Sequence, residues 1–308
     1  MFVIKYRKIF FILSTLLIAL SIYGIVVYGF NYSIDFKGGT ITEIKYDGPT
    51  PTLENLNAGI STLNIGGFSV RPSGTSDFII RTKELSSEEV KKLQNVVSQF
   101  PGTEVNHISI NPPTVLRQNT IGPVAGAELK SKAIKAIAVV VIMIVLFVTF
   151  AFRRVAKPVS SWKYGFATII ALAHDVIIPT GVFVFLGHFS GIEIDLLFVT
   201  GLLAILGYSV HDTIVVFDRV RENLKVNRDS GNKEDFETTV GKSVAQTFGR
   251  SINTSLTIFI TLLALFLVGS GATKDFALLL IIGVIVGTYS SIFVASPLLV
   301  TFQKGQNK

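Results

Sequence analysis

Six runs of low charge, at 9–30, 131–152, 164–186, 194–217, 251–270 and 274–300, constrain this chain more than any other feature. A helix needs about 20 mostly apolar residues to cross a bilayer, and inside the hydrocarbon every backbone polar group must find a partner within the segment. The expected fold is therefore an α-helical polytopic membrane protein with six transmembrane helices. Composition agrees: 49% of residues are hydrophobic and only 16% charged, against about 25% charged in soluble domains. The first run exceeds the apolar core of a signal peptide and leads into Tyr28-Gly-Phe-Asn31 rather than a small-residue cleavage site, so a retained helix is expected. With no cysteine in the chain, disulfide and thiolate chemistry are excluded.

Orientation follows from the basic residues. Lys5, Arg7 and Lys8 precede the first span, and Arg153, Arg154, Lys157 and Lys163 lie between the second and third. Seven more fall in the loop 218–250, whereas the 188–195 connection has none and the last hairpin has only Lys274. Positive charge is kept on the cytoplasmic side, so the ends 1–8 and 301–308 are expected inside. Lys130, Lys132 and Lys135 run against this pattern but follow a long loop, where the rule is weak. The net charge of +7 does not mark a nucleic-acid binder, because Asp218, Glu222, Asp229, Glu234, Asp235 and Glu237 interleave with the basic residues of the inner loop. Phe236, Val240, Val244 and Phe248 recur every four residues there. The loop thus reads as amphipathic, in short helices at the membrane surface or packed on the floor of the bundle.

Between the first two spans, residues 31–130 are too polar to cross a membrane and must fold outside it. Strands are expected at 40–46, 68–71, 77–82 and 104–110. Helices are expected at 52–63 and from a capping box of Ser86 with Glu89. The order β-α-β-β-α-β is that of a ferredoxin-like, split βαβ domain. Asp35-Phe-Lys-Gly-Gly39 reads as a tight turn into the first strand. Asn111-Pro-Pro113 and Ile121-Gly-Pro-Val-Ala-Gly126 read as a linker and a helix start. His107 has no ligand-spaced companion and reads as surface or structural.

The polar residues inside the spans carry the functional signal. His174 and Asp175 sit near the middle of the third, and His211 and Asp212 near the inner end of the fourth. Arg250-Ser-Ile-Asn-Thr-Ser255 opens the fifth, bringing Asn253 and Thr254 to similar depth. Ionisable groups at such positions are costly and functional by default. Arg250 would favour ionised Asp212 and desolvation the neutral acid, so the pair has the makings of a proton switch. A static ion pair fixing helix register is the alternative. His174 and Asp175 are open between helix packing and relay, and His211 between a supporting partner and a proton donor. A metalloenzyme is disfavoured, since neighbouring helix positions point about 100° apart and each His-Asp dipeptide offers one inward ligand.

With these residues in view, the chain resembles the SecF branch of the SecD/SecF protein-export family, within the RND superfamily of proton-driven transporters. The resemblance runs through Asp35-Phe-Lys-Gly-Gly39, Ile121–Gly126, Ala173-His-Asp-Val176, the stretch Gly207–Asn223 that ends in Asp218-Arg219-Val-Arg-Glu-Asn223, and Arg250–Ser255. His211 departs from the family's asparagine before the aspartate, and bears on proton handling there. The resemblance implies a SecD partner forming a twelve-helix pair, association with the SecYEG channel and YajC, and residence in the bacterial cytoplasmic (inner) membrane. It implies a protein that is not an enzyme and needs no cofactor or metal, surrounded by membrane lipid. Such a protein uses the proton motive force to assist export of an unfolded polypeptide. On that basis Asp212 carries the proton, Arg250 is its partner, and Asp35, Gly38, Gly39, Asp218 and Arg219 are family motif residues. An independent proton-coupled exporter of the RND type is disfavoured, because six spans give half of the usual pseudo-symmetric bundle. A non-conducting scaffold for the translocon is the other reading.

Overall fold

The computed structural model describes residues 2–74, 76–99, 112–153, 160–232, 234–269 and 271–304. In chain order its elements are α1 (Phe2–Lys5), α2 (Arg7–Tyr28), α3 (Ile34–Lys37), β1 (Gly39–Lys45), α4 (Leu53–Ser61), β2 (Phe68–Pro72), β3 (Asp77–Thr82) and α5 (Ser87–Ser98). There follow β4 (Thr114–Ile121), α6 (Pro123–Ala151), α7 (Ser161–Ser190), α8 (Leu196–Asp229), α9 (Phe236–Val268), α10 (Gly271–Ser290), a π-helical turn (Ser291–Ala295) and α11 (Ser296–Lys304). Six helical stretches are long and apolar enough to cross a membrane: α2, α6, α7, α8, α9 and the continuous α10–α11.

Burial divides these six. α7, α8 and α10–α11 each bury half or more of their most apolar window, while α2, α6 and α9 leave theirs largely exposed. Hydrocarbon tails are as apolar as leucine, so the exposed faces cost nothing in lipid, and helix association depends on close packing. Glycines supply that closeness. Gly283 and Gly287 of α10 lie against Ile205 and Ser209 of α8, and Gly181 of α7 lies against Ser21 of α2. The GxxxG spacing in the last span therefore sits at a real helix crossing. At one end Phe152, Tyr164 and Phe217 form an aromatic floor, Phe152 stacked on Tyr164 at 5.2 Å and Phe217 edge-on to both.

The expectation for 218–250 needs correction. No separate surface helices form there. α8 runs on to Asp229 and α9 begins at Phe236, so the two spans extend past the apolar region as one antiparallel hairpin. Val216, Val220 and Leu224 on α8 meet Phe236, Val240 and Val244 on α9 in a single buried cluster. Asn223 donates to Ser243 at 2.9 Å, and Asn227 to Thr239 at 3.1 Å. Fourfold spacing of apolar residues on both strands of the hairpin makes burial against each other cheaper than exposure. The reading as a segment packed on the bundle floor fits.

The small domain between α2 and α6 is a four-stranded, wholly antiparallel sheet in the order β2-β3-β1-β4. Leu56 and Ile60 of α4 and Leu93 and Val97 of α5 cover Ile44, Phe78 and Ile80 of the sheet. The Ser86–Glu89 capping box forms as expected. The strand expected at 104–110, and His107 with it, lie outside the described residues. The fourth strand, on the other edge of β1 from β3, is Thr114–Ile121, just after the Asn111–Pro113 linker and in a stretch where no strand was expected. Its alternation was masked by polar residues, because most of β4 is exposed and has little to bury.

Gly38 and Gly39 join this domain to the bundle. Both have positive φ, +78° and +138°, a region nearly closed to other residues. A side chain on Gly38 would meet Pro123 Cα at 2.8 Å, and one on Gly39 would meet the Thr82 carbonyl at 2.5 Å. Gly126 in turn has the Gly38 backbone within 3.0 Å of where its own Cβ would lie. The double glycine is thus a close approach of α3–β1 onto the start of α6. Gly38→Ala combines backbone strain of about 1–3 kcal/mol with that clash, and is expected to lower the melting temperature of the detergent-solubilised protein by several degrees. Gly48→Ala, in open space, should leave it unchanged; equal melting of the two variants would refute the packing role.

Candidate functional site

The bundle interior holds a lattice of carboxylates and hydroxyls. On α7, His174 and Asp175 are 1% and 0% exposed, with His174 Nδ1 2.8 Å from Asp175 Oδ1. The other carboxylate oxygen accepts from the hydroxyls of Ser209 on α8 and Ser290 on α10, the latter at 2.7 Å. Farther along α8, Asp212 is 6% exposed. Its Oδ1 accepts from Ser251 of α9 at 2.6 Å, while its Oδ2 is buried with no hydrogen bond. Thr213 and Ser291 join hydroxyls at 2.9 Å, and Ser291 also bonds the Gly287 carbonyl. A third group, Tyr208, Ser255 and Thr288, ties α8, α9 and α10 by contacts of 2.6 to 3.1 Å.

Helix geometry explains who takes part. Ser251 and Ser255 lie four apart, so they share a face of α9 and turn inward. Arg250, Asn253 and Thr254 are on the other faces and are exposed. The expected Asp212–Arg250 contact is therefore corrected: no ion pair joins the two, and Ser251 takes the carboxylate because it is the residue that the helix turn aims at α8. Asn253 and Thr254 do not reach the lattice, and neither does His211, whose neighbour Asp212 occupies the inward direction. His174 and Asp175 are both inside, contrary to the view that only one of the two could be.

The sequence reading passed over Ser209, Ser290 and Ser291. Their signal is present in the chain as Tyr289-Ser-Ser291 and Tyr208-Ser209, small hydroxyls at the depth of the carboxylates. The π-helical turn begins at Ser291, and Ser296, five residues on, bonds the Ser291 carbonyl at 3.0 Å. Single π turns inside helices collect at functional sites.

The motif residues outside the lattice are structural ties. Asp218 pairs with Arg221 at 2.6 Å, and Arg219 bridges Glu222 and Gln246 across the α8–α9 hairpin. At the opposite end, Asp35 Oδ2 accepts from the Leu196 backbone amide at 3.0 Å, and Asp195 caps Phe198 at 2.8 Å. Two carboxylates thus meet the amino end of α8, where the helix dipole favours them. The sheet reaches the same place: Arg81 pairs with Glu193 at 2.6 Å, and Arg71 donates to the Gly191 carbonyl at 2.8 Å and pairs with Asp275 at 3.8 Å. Burial raises Glu193 above the usual carboxylate range, against the pull of Arg81. Burial also pushes Asp195 up to about 6, with Asp35 and Asp275 adding to the effect and the Phe198 amide opposing it.

Six apolar spans around desolvated carboxylates, with a small α/β domain docked at one end, define a polytopic membrane protein whose ionisable chemistry lies inside the bundle. This chain belongs to the SecD/SecF family of protein-export membrane proteins. The family model described as "Protein export membrane protein SecD/SecF, C-terminal" matches residues 103–305, and that of the "SecD/SecF GG Motif" matches 23–50. The protein translocase subunit SecF of Thermobaculum terrenum is 38% identical over 314 residues, covering 98% of this chain and 93% of that relative. The translocase subunit SecDF of Thermus thermophilus is 35% identical over 298 residues, covering 94% of this chain but 37% of that longer protein. A crystal structure of SecDF from Thermus thermophilus, described as a translocon-associated membrane protein, superposes with a TM-score of 0.81 at 34% identity, over 99% of this chain and 38% of that one.

The raised Asp195 makes a pH prediction. Its folded value, about 6 against an ordinary 3.8, means that the folded state holds the proton longer than the unfolded chain. Stability from this group is full below the ordinary value and is lost as pH rises through about 6. Asparagine keeps a capping oxygen without the charge. Asp195→Asn should therefore raise the melting temperature at pH 7.5, with the gain shrinking toward pH 4.5; a gain independent of pH would contradict the assignment.

Proposed function

We propose that this chain works as a subunit of the Sec protein translocase that uses the proton motive force to assist export, paired with a SecD partner of like architecture. The observation that carries the reading is Asp212, buried toward one end of the apolar part of α8, with Oδ1 held by Ser251 and Oδ2 buried with no hydrogen bond of its own. A proton arriving on that second oxygen removes a charge from a desolvated site. It thereby weakens the charge-assisted bond to Ser251 that joins α8 to α9. Each elementary charge moved through the field yields about 2.3 kcal/mol per 100 mV, enough to bias two arrangements of a packed bundle.

α8 supplies the transmission. It is one helix from Leu196 to Asp229, with Asp212 along it and the outer domain bonded at its beginning through Asp35, Arg81 and Arg71. A change at Asp212 reaches that end without crossing a flexible joint. The order β2-β3-β1-β4 with two helices supports a ferredoxin-like outer domain, and the basic residues of the short loops support an extracytoplasmic position for it. Both termini are then cytoplasmic, in the bacterial inner membrane. The exposed Arg250, Asn253 and Thr254 on α9 are unusual toward lipid and suit a face covered by the SecD half, which the fused SecDF relatives carry in the same chain. SecYEG and YajC are the further partners, and an emerging unfolded polypeptide the cargo of the outer domain.

The test is export of a secretory protein into inverted membrane vesicles containing the SecD partner and either wild-type chain or Asp212→Asn. The gradient's benefit is expected to disappear in the variant while basal ATP-driven export and partner binding persist. An equal response of both would leave Asp212 a structural residue and the chain a scaffold.

A further inference from the structure

The mechanism above uses Asp212 and leaves the most deeply buried ionisable pair without a task. His174 and Asp175 are drier than Asp212, and a packing role alone would be served by uncharged residues at less cost. The hydrogen bonds give the pair a direction. Asp175 Oδ2 accepts from Ser209 and Ser290, and its Oδ1 faces His174 Nδ1 at 2.8 Å. A carboxylate that accepts on both oxygens is fitted to its ionised form, and it fixes the imidazole with the Nδ1 proton pointing at Asp175. That leaves Nε2 as the free end of the ring, buried and without a partner.

We propose that His174 is a second proton-holding group of this bundle, oriented by Asp175 and coupled to Asp212 through the serines at the π-helical turn. The proposal rests on the proton-driven reading of the bundle. In the step, Nε2 takes one proton, neutral imidazole becomes imidazolium, and Nδ1–H keeps its bond to Asp175. The pair passes from a net charge of −1 to 0, and returning the proton reverses it. His174 binds the proton; Asp175 is a positioning residue.

The coupling has a physical path. Ser290, bonded to Asp175, and Ser291, bonded to Thr213 beside Asp212, are neighbours at the entrance to the π-helical turn. Ser291 also reaches the Ser209 carbonyl at 3.4 Å, and the Ser209 hydroxyl serves Asp175. A shift of that turn alters the surroundings of both carboxylates together. The titratable groups facing the pair are few. α10 presents Tyr289, stacked on the imidazole at 5.9 Å, with its hydroxyl tied to Phe10 and Ser14 of α2. Asp212 lies three residues along α8 from Ser209, whose hydroxyl serves Asp175, and Arg250 of α9 is turned outward.

The experiment is a pH titration of histidine ring nitrogens by NMR, on full-length protein labelled at histidine and held in lipid nanodiscs. His174→Gln assigns the signal among the four histidines. In the wild type the His174 Nε2 resonance should move from its bare to its protonated position as pH falls from 8.5 to 4.5. In Asp212→Asn the titration of that resonance should differ from the wild type, because the serines at the π-helical turn join the two sites. A resonance fixed across the range overturns the proton-holding role, and an unchanged titration in the variant overturns the coupling. In vesicles, His174→Gln should lower the response to the gradient and flatten its dependence on pH, and an unchanged response and pH profile again count against the proposal. The titration needs no export, so it stands or falls separately from the result with Asp212→Asn vesicles.

Discussion

The rest of this structure depends on one constraint: a carboxylate inside a lipid-embedded bundle must be supplied with donors by its own helices. A buried charge left alone costs several kcal/mol. The bundle answers with serine and threonine hydroxyls. They are small enough to sit at close helix crossings, and each can return its proton to a backbone carbonyl of the preceding turn when the carboxylate does not need it. Ser290 shows both options, facing Asp175 at 2.7 Å and the Gly287 carbonyl at 3.1 Å. The same positions that allow α8 and α10 to approach, Gly287 and Ser209, therefore also solvate the charge. Packing and electrostatics are solved by one set of residues.

This economy concentrates function in the three buried spans. α7, α8 and α10 form the dry interior, and α9 contributes one serine face. α2 and α6 hold the bundle from outside, with α6 also receiving the Gly38–Gly39 corner at Pro123 and Gly126. Ties at both ends of α8 make it the rigid member. Arg219, Glu222 and Gln246 lock its carboxyl-terminal extension to α9, and Asp35 and Asp195 meet its amino end. Motif residues far from the carboxylates thus serve the same helix that carries one of them.

How far the chain disclosed this depended on the strength of the local signal. Six spans were legible because uncharged runs of that length have few other uses, and the capping box at Ser86 because two side chains and two amides fix it locally. β1 was legible from its β-branched residues and β3 from the Pro-Ser-Gly turn before it; β4 was not, since an exposed strand has no pattern to show. Asp212, His174 and Asp175 were legible from chemistry alone. Their partners were not, because a serine in a membrane helix is common and only the crossing angle decides which face it serves. Arg250 was the attractive partner on charge, yet Ser251, one residue on, has the geometry. A difference of about 100° around a helix outweighs a full charge when the side chain cannot turn back across its own axis.

That substitution of serine for arginine changes the character of the site. A guanidinium in contact would hold Asp212 ionised and make proton entry depend on breaking an ion pair. A neutral hydroxyl donates to the carboxylate without locking it in place by an opposite charge. The π-helical turn that begins at Ser291 lies beside the site, at the Thr213–Ser291 contact. Arg250, turned outward on the same stretch of α9, is left available to whatever covers that face. Which group meets Asp212 therefore depends on the rotation of α9, and the rotation in this structure presents Ser251 and turns Arg250 outward.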